Sequence, residues 1–140
     1  MKKYYVLVIL FFLSCSYLFG QGKLLLIGGG GEKDSENSWN YAAYKWAVDH
    51  SANKRVAIVS YYDASDWLPN YFISQCGAIN AKNFKIDDIS VADQQATYDS
   101  LVSYDVIFLK GGDQSNYYNT YKNTKTQEAI QYIFDNGGVV

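Results

Sequence analysis

Two short apolar runs, each closed by glycines, constrain the fold of this chain more than any other feature. Lys23-Leu24-Leu25-Leu26-Ile27 leads into Gly28-Gly29-Gly30-Gly31-Glu32-Lys33, and Asp105-Val106-Ile107-Phe108-Leu109 leads, after Lys110, into Gly111-Gly112-Asp113-Gln114. Continuous apolar runs of this length fit strands buried on both faces of a parallel sheet, where helices cover each side. Residues 55–60, centred on Val56-Ala57-Ile58-Val59, read the same way.

Helical patterns lie between the runs. From Trp39 the apolar residues recur as Ala42, Ala43, Trp46 and Ala47, the stripe of an amphipathic helix. A second helix is expected over residues 68–76, with Pro69 in the first turn, where the N–H it lacks has no intrahelical partner. Residues 83–89 alternate Phe84 and Ile86 against Lys85 and Asp87, which suits a sheet edge with one wet face. Tyr98, Leu101 and Val102 mark a third helix. Thr124 and Gln127 have capping-box spacing ahead of the stripe Ile130, Ile133 and Phe134, and Gly137 stands where a helix C-terminus takes positive φ. This alternation predicts an α/β fold with a doubly wound, mostly parallel sheet. Gly138-Val139-Val140 reads as the opening of a further strand, so the expected unit is the N-terminal part, residues 22–140, of a single α/β domain truncated within a strand.

Residues 1–21 read as a secretory signal peptide. Lys2 and Lys3 precede an apolar run from Tyr4 to Phe19 that Gly20 and Gln21 break, with cleavage expected near Gly20. A retained anchor is the alternative, since about 17 apolar residues is the lower limit of a membrane span. Cys15 is a poor lipidation site, because apolar residues continue through Tyr17, Leu18 and Phe19. The expected location is therefore secreted or periplasmic, with no stable membrane insertion after cleavage. Cleavage would leave Cys76 as the one thiol and exclude an intramolecular disulfide. The chain carries 12 basic and 14 acidic residues, and loss of Lys2 and Lys3 makes it more acidic, which argues against nucleic acid and anionic lipid as partners. The 14 tyrosines read as amphipathic filler of core and surface rather than as a carbohydrate platform.

Both glycine loops fall at carboxyl ends of parallel strands. If the first and fourth strands are neighbours, the loops meet at the switch point where such sheets bind ligands. Successive glycines expose main-chain N–H groups to a phosphate or a developing oxyanion. The dinucleotide pattern G-x-G-x-x-G fails at Lys33 when started from Gly28 and at Asp34 when started from Gly29, and no phosphate-loop Lys-Ser pair follows. Asp63, after the second strand, is weak evidence for a ribose-binding acid. A tight strand-to-helix turn stays open as the role of the tetraglycine, and neither cofactor nor metal is expected.

Three strings together are specific. The strand and glycine-acid loop at 24–33, the apolar strand with Gly111-Gly112-Asp113-Gln114, and the helix ending in Asp135-Asn136-Gly137-Gly138-Val139-Val140 resemble, in order, segments of the cyanophycinase and aspartyl-dipeptidase family of serine peptidases. The resemblance implies the class I glutamine-amidotransferase-like, flavodoxin-like fold. It also implies cleavage of peptide bonds near acidic residues by a serine beyond Val140, with a histidine and an acid farther on, so the 140 residues alone are expected to be inactive. By the same resemblance Gly112 and Asp113 supply the oxyanion hole, where one preorganised donor contributes about 3 to 4 kcal/mol. Gln114 contacts substrate, and Gly30 and Gly31 belong to the substrate-binding loop.

Several residues have blander readings. Asp113 is expected to brace its turn. Glu32 lines the pocket rim or is a solvated helix-start carboxylate, and Tyr117, Tyr118 and Tyr121 either wall the site or pack a helix face. His50, the single histidine, is expected at a helix C-terminus, and Ser115 has no nameable base. The implied partner is a peptide or an acidic small molecule, and a homodimer is left open. A noncatalytic amidotransferase-like protein binding such a ligand is the alternative function. A glutamine amidotransferase is a third reading, disfavoured because that chemistry usually needs cysteine.

Overall fold

The computed structural model describes residues 21–31, 33 and 35–140. The expected signal segment up to Gly20, with Cys15, and Glu32 and Asp34 lie outside the described residues. In chain order the elements are α1 (Trp39–Asp49), β1 (Arg55–Ser60), α2 (Trp67–Ser74), β2 (Asn80–Lys85), α3 (Ile89–Ala92), α4 (Gln95–Leu101), β3 (Val106–Leu109), α5 (Gln114–Tyr121) and α6 (Lys125–Asp135).

β1 is the centre of the sheet. It pairs in parallel with β2 on one side and β3 on the other, Ile58 standing opposite both Asn83 and Phe108. Side chains alternate across a strand. Val56 and Ile58 enter a core with Tyr44, Leu68 and Phe72, whereas Ala57 and Val59 enter a second core with Leu101, Ile107 and Ile133. Helices therefore cover both faces, and the fold is the doubly wound α/β arrangement that the alternation predicts, of the flavodoxin-like type that the resemblance implies.

Three local readings shift. The edge strand β2 begins at Asn80 and ends at Lys85, earlier than expected, because Asp88 starts a helix by accepting the Ser90 N–H at 2.6 Å. Helix α1 buries Asn40, Tyr44, Ala47 and Val48 and leaves Ala42 exposed. A single large ring decides that face: Tyr44 stacks on Phe72 at 5.2 Å and meets Phe108 edge-on at 4.9 Å. In α6 the buried stripe is Thr126, Ala129 and Ile133, with Ile130 and Phe134 half-buried. The capping box does not close there, since Thr124 donates back to the Tyr121 carbonyl at 2.7 Å and Gln127 accepts from the Asn123 N–H at 2.6 Å. Gly137 takes the expected positive φ of 84°.

The expectation that the first apolar run neighbours β3 is corrected. Val139 forms parallel bridges to both Val106 and Lys23. On one side its N–H reaches the Asp105 carbonyl and its carbonyl takes the Ile107 N–H, each at 2.9 Å. On the other side Lys23 bonds Gly138, Val140 bonds Lys23 and Leu25 bonds Val140, at 2.8 to 2.9 Å. Residues 138–140 thus lie between β3 and residues 23–25. The first run pairs only as far as Leu25, and beyond it Leu26 is 84% exposed, so this run is not buried on both faces.

Candidate functional site

Directly ahead of Val140, residues 24–27 and β3 flank an open cavity of about 760 Å³. Tyr44 and Ala47 of α1 close it on one face, Tyr117 and Tyr121 of α5 on the other. Its rim carries Gly28, Gly29 and Gly30 from one loop and Gly111, Gly112 and Gln114 from the second. The two glycine loops are thus brought together across a gap rather than on adjacent strands. Asp113 and Gly31 are not among the lining residues.

The second loop is tightly braced. Asp113 is the N-cap of α5, its Oδ1 accepting the Ser115 N–H at 2.8 Å, so its carboxylate serves the turn as expected. Gly112 lies against the Tyr62 ring so closely that an added Cβ would fall 2.4 Å from Cε2. The Tyr62 hydroxyl accepts the Asp113 N–H at 3.1 Å and the Asn116 Nδ2–H at 2.8 Å. Sequence reasoning passed over Tyr62, although it follows β1 by two residues at the carboxyl end of the sheet, where a ligand site forms. The same turn is tied down by the buried Ser60 hydroxyl, which accepts from the Tyr62 and Asp63 N–H groups at 3.2 Å each. Asp63, weighed as a ribose-binding acid, pairs with Lys110 Nζ at 2.6 Å.

The tetraglycine loop is held by α1. Trp39 Nε1 donates to the Gly31 carbonyl at 2.9 Å, and a Cβ on Gly30 would meet Trp39 Cζ2 at 3.0 Å. Asn40, fully buried, accepts the Lys33 N–H at 3.2 Å and returns its own N–H to the Lys33 carbonyl at 3.3 Å. Gly30 therefore reaches the cavity rim, whereas the Gly31 carbonyl turns to the indole.

Other candidate groups are engaged elsewhere. His50 follows the last turn of α1, its Nδ1 2.8 Å from the Trp46 carbonyl and its ring stacked on Trp46 at 4.2 Å. Since Trp39 opens α1 at the rim of the cavity, His50 sits at the opposite end of the sheet. Cys76 is buried, and desolvation pushes its thiol up to about 11, the reverse of an activated nucleophile. Tyr121 donates to the Ile86 carbonyl at 2.9 Å, and burial raises its pKa; it packs the core while its neighbour Tyr118 is exposed. Among the described residues no group of three or more His, Cys, Asp or Glu is placed to hold a metal.

Chemically the arrangement offers main-chain N–H groups, a side-chain amide and a glycine rim around the mouth of an apolar slot. No protein-family profile matches the chain, and no curated protein matches its sequence. Among solved structures it is similar to a peptidase from an acI-B1 Actinobacterium, with a TM-score of 0.70 over 86% of this chain at 16% identity. The chain spans 53% of that peptidase's length. The likeness shows a shared α/β fold, one that a peptidase uses.

Proposed function

We propose that the chain is the N-terminal part of an exported serine-type peptidase of the cyanophycinase-like family, acting on peptide bonds near acidic residues. The observation that carries this reading is the slot ahead of Val140, flanked by two parallel runs and opening between two glycine loops. A strand continuing from Val140 through the slot would pair with β3 on one edge and with residues 24–27 on the other. Its carboxyl end would emerge beside Gly112, where a serine on a sharp turn meets a ready main-chain donor.

In this reading the serine oxygen adds to the scissile carbonyl while a base from the rest of the protein takes its proton. Negative charge then develops on the carbonyl oxygen, and the Gly112-Asp113 loop stabilises it with the Gly112 N–H, held in place beforehand while the Asp113 N–H is taken by the Tyr62 hydroxyl, so little reorganisation is needed during reaction. Gln114 offers both a donor and an acceptor to the bound peptide, and Gly30 lets substrate approach the rim, while Gly31 only anchors the loop to Trp39. The test is hydrolysis of short peptides with and without an acidic residue next to the scissile bond, by the longer protein and by residues 1–140. Turnover by the longer protein alone, selective for the acidic peptides, is expected. Peptide binding without turnover would replace the reading with that of a noncatalytic binding protein.

A further inference from the structure

Resting on that reading, we infer that Tyr62 is a positioning residue that decides which N–H of the Gly112-Asp113 loop faces the developing oxyanion. Tyr62 takes the Asp113 N–H at 3.1 Å. Among the described residues no acceptor meets the Gly112 N–H. Gly112 is thus the donor that remains, and its orientation depends on the ring pressed against it.

The clamp is built from both sides. A second donor, Asn116 Nδ2 from the first turn of α5, reaches the same hydroxyl at 2.8 Å, so the oxygen accepts two hydrogen bonds that fix its place relative to the helix. A phenol oxygen has no further capacity to accept once two donors occupy it. The ring is steadied from below by Tyr61, whose centroid lies 5.1 Å away nearly edge-on, and the Tyr61 N–H bonds the Tyr117 hydroxyl at 3.3 Å. Tyr62 therefore joins the end of β1 to the loop after β3 and the start of α5, three elements whose relative placement sets the donor. A preorganised donor loses much of its effect when it must reorient during the reaction.

The experiment compares the longer protein with its Tyr62→Phe and Asn116→Ala variants by amide hydrogen exchange at Asp113 and by steady-state kinetics. Tyr62→Phe keeps the ring over Gly112 and removes only the acceptor. Exchange at Asp113 is expected to quicken about tenfold or more, and kcat to fall about tenfold with KM within about twofold. Asn116→Ala, which leaves the Asp113 bond in place, is expected to lower kcat about threefold. Unchanged Asp113 exchange, or faster exchange with unchanged kcat, overturns the inference while leaving the peptidase reading intact. A longer protein that hydrolyses nothing, yet loses Asp113 protection in Tyr62→Phe, removes the peptidase reading and overturns the catalytic role of the clamp.

Discussion

Residues 56–59 and residues 24–27 are almost interchangeable as sequence, Val-Ala-Ile-Val against Leu-Leu-Leu-Ile, yet their fates differ. All four residues of the first run are fully buried, whereas Leu24 is 59% and Leu26 84% exposed. The first run has a strand on each edge and a helical layer on each face. The second has one short partner, residues 138–140, and past Leu25 faces the open slot. An apolar run states what a segment requires; whether the requirement is met depends on neighbours supplied from elsewhere in the chain.

The largest test of this contrast is catalytic. Gly112→Ala would drive a methyl group into Tyr62 and tilt the loop, so in the longer protein kcat should fall about 100-fold, with the loss read by steady-state kinetics. Gln114→Ala, acting through bonds to bound substrate, should raise KM and leave kcat nearly unchanged. An unchanged kcat in Gly112→Ala would reduce the glycine to a turn residue.

Stability should show the same asymmetry. Ile58→Ala removes packing at the middle of β1 and should cost about 2 to 5 kcal/mol by denaturant unfolding. Leu26→Ala in the 140-residue chain should change stability by about 0.5 kcal/mol or less. If a strand continuing from Val140 fills the slot, as proposed, the same substitution in the longer protein should cost about 2 kcal/mol or more. Equal small effects of Leu26→Ala in both contexts would mean that nothing packs against this run.

Cys76 and Tyr121 give a pH prediction. Burial raises both folded-state pKa values, the thiol from 9.0 to about 11, so the folded state favours the neutral forms. The Cys76 contribution to stability is complete below pH 9 and is lost as pH rises through about 11, whereas that of Tyr121 is complete below pH 10 and its loss extends above the Cys76 range, because the unfolded groups ionise first. Urea midpoints measured across that range should fall, and Cys76→Ala should lessen the fall. The smallest effect is expected from Lys110→Met, since its pair with the half-exposed Asp63 is worth about 1 kcal/mol or less.

What was legible in the sequence follows from range. β1 declares itself because burial on both faces leaves its centre, Val56 to Val59, without a polar residue, and the Gly137 turn because a helix end needs positive φ there. The face of α1 was misread because alanines count as apolar while the Tyr44 ring does the packing. Strand order was hidden, since it rests on Val139 pairing with both Val106 and Lys23. Gly30 and Gly112 were legible as glycines, but the rings of Trp39 and Tyr62 that require them were not. Tyr62 meets its loop across 51 residues of chain, a separation no local pattern records.

The most direct test of the central claim is to treat the longer protein with a serine-directed phosphonate and map the adduct by mass spectrometry. A single adduct on a serine in the segment immediately after Val140, diminished in Gly112→Ala, is the predicted result. No adduct, or an adduct on Ser115, would contradict the claim that the slot delivers a nucleophile to the Gly112 loop.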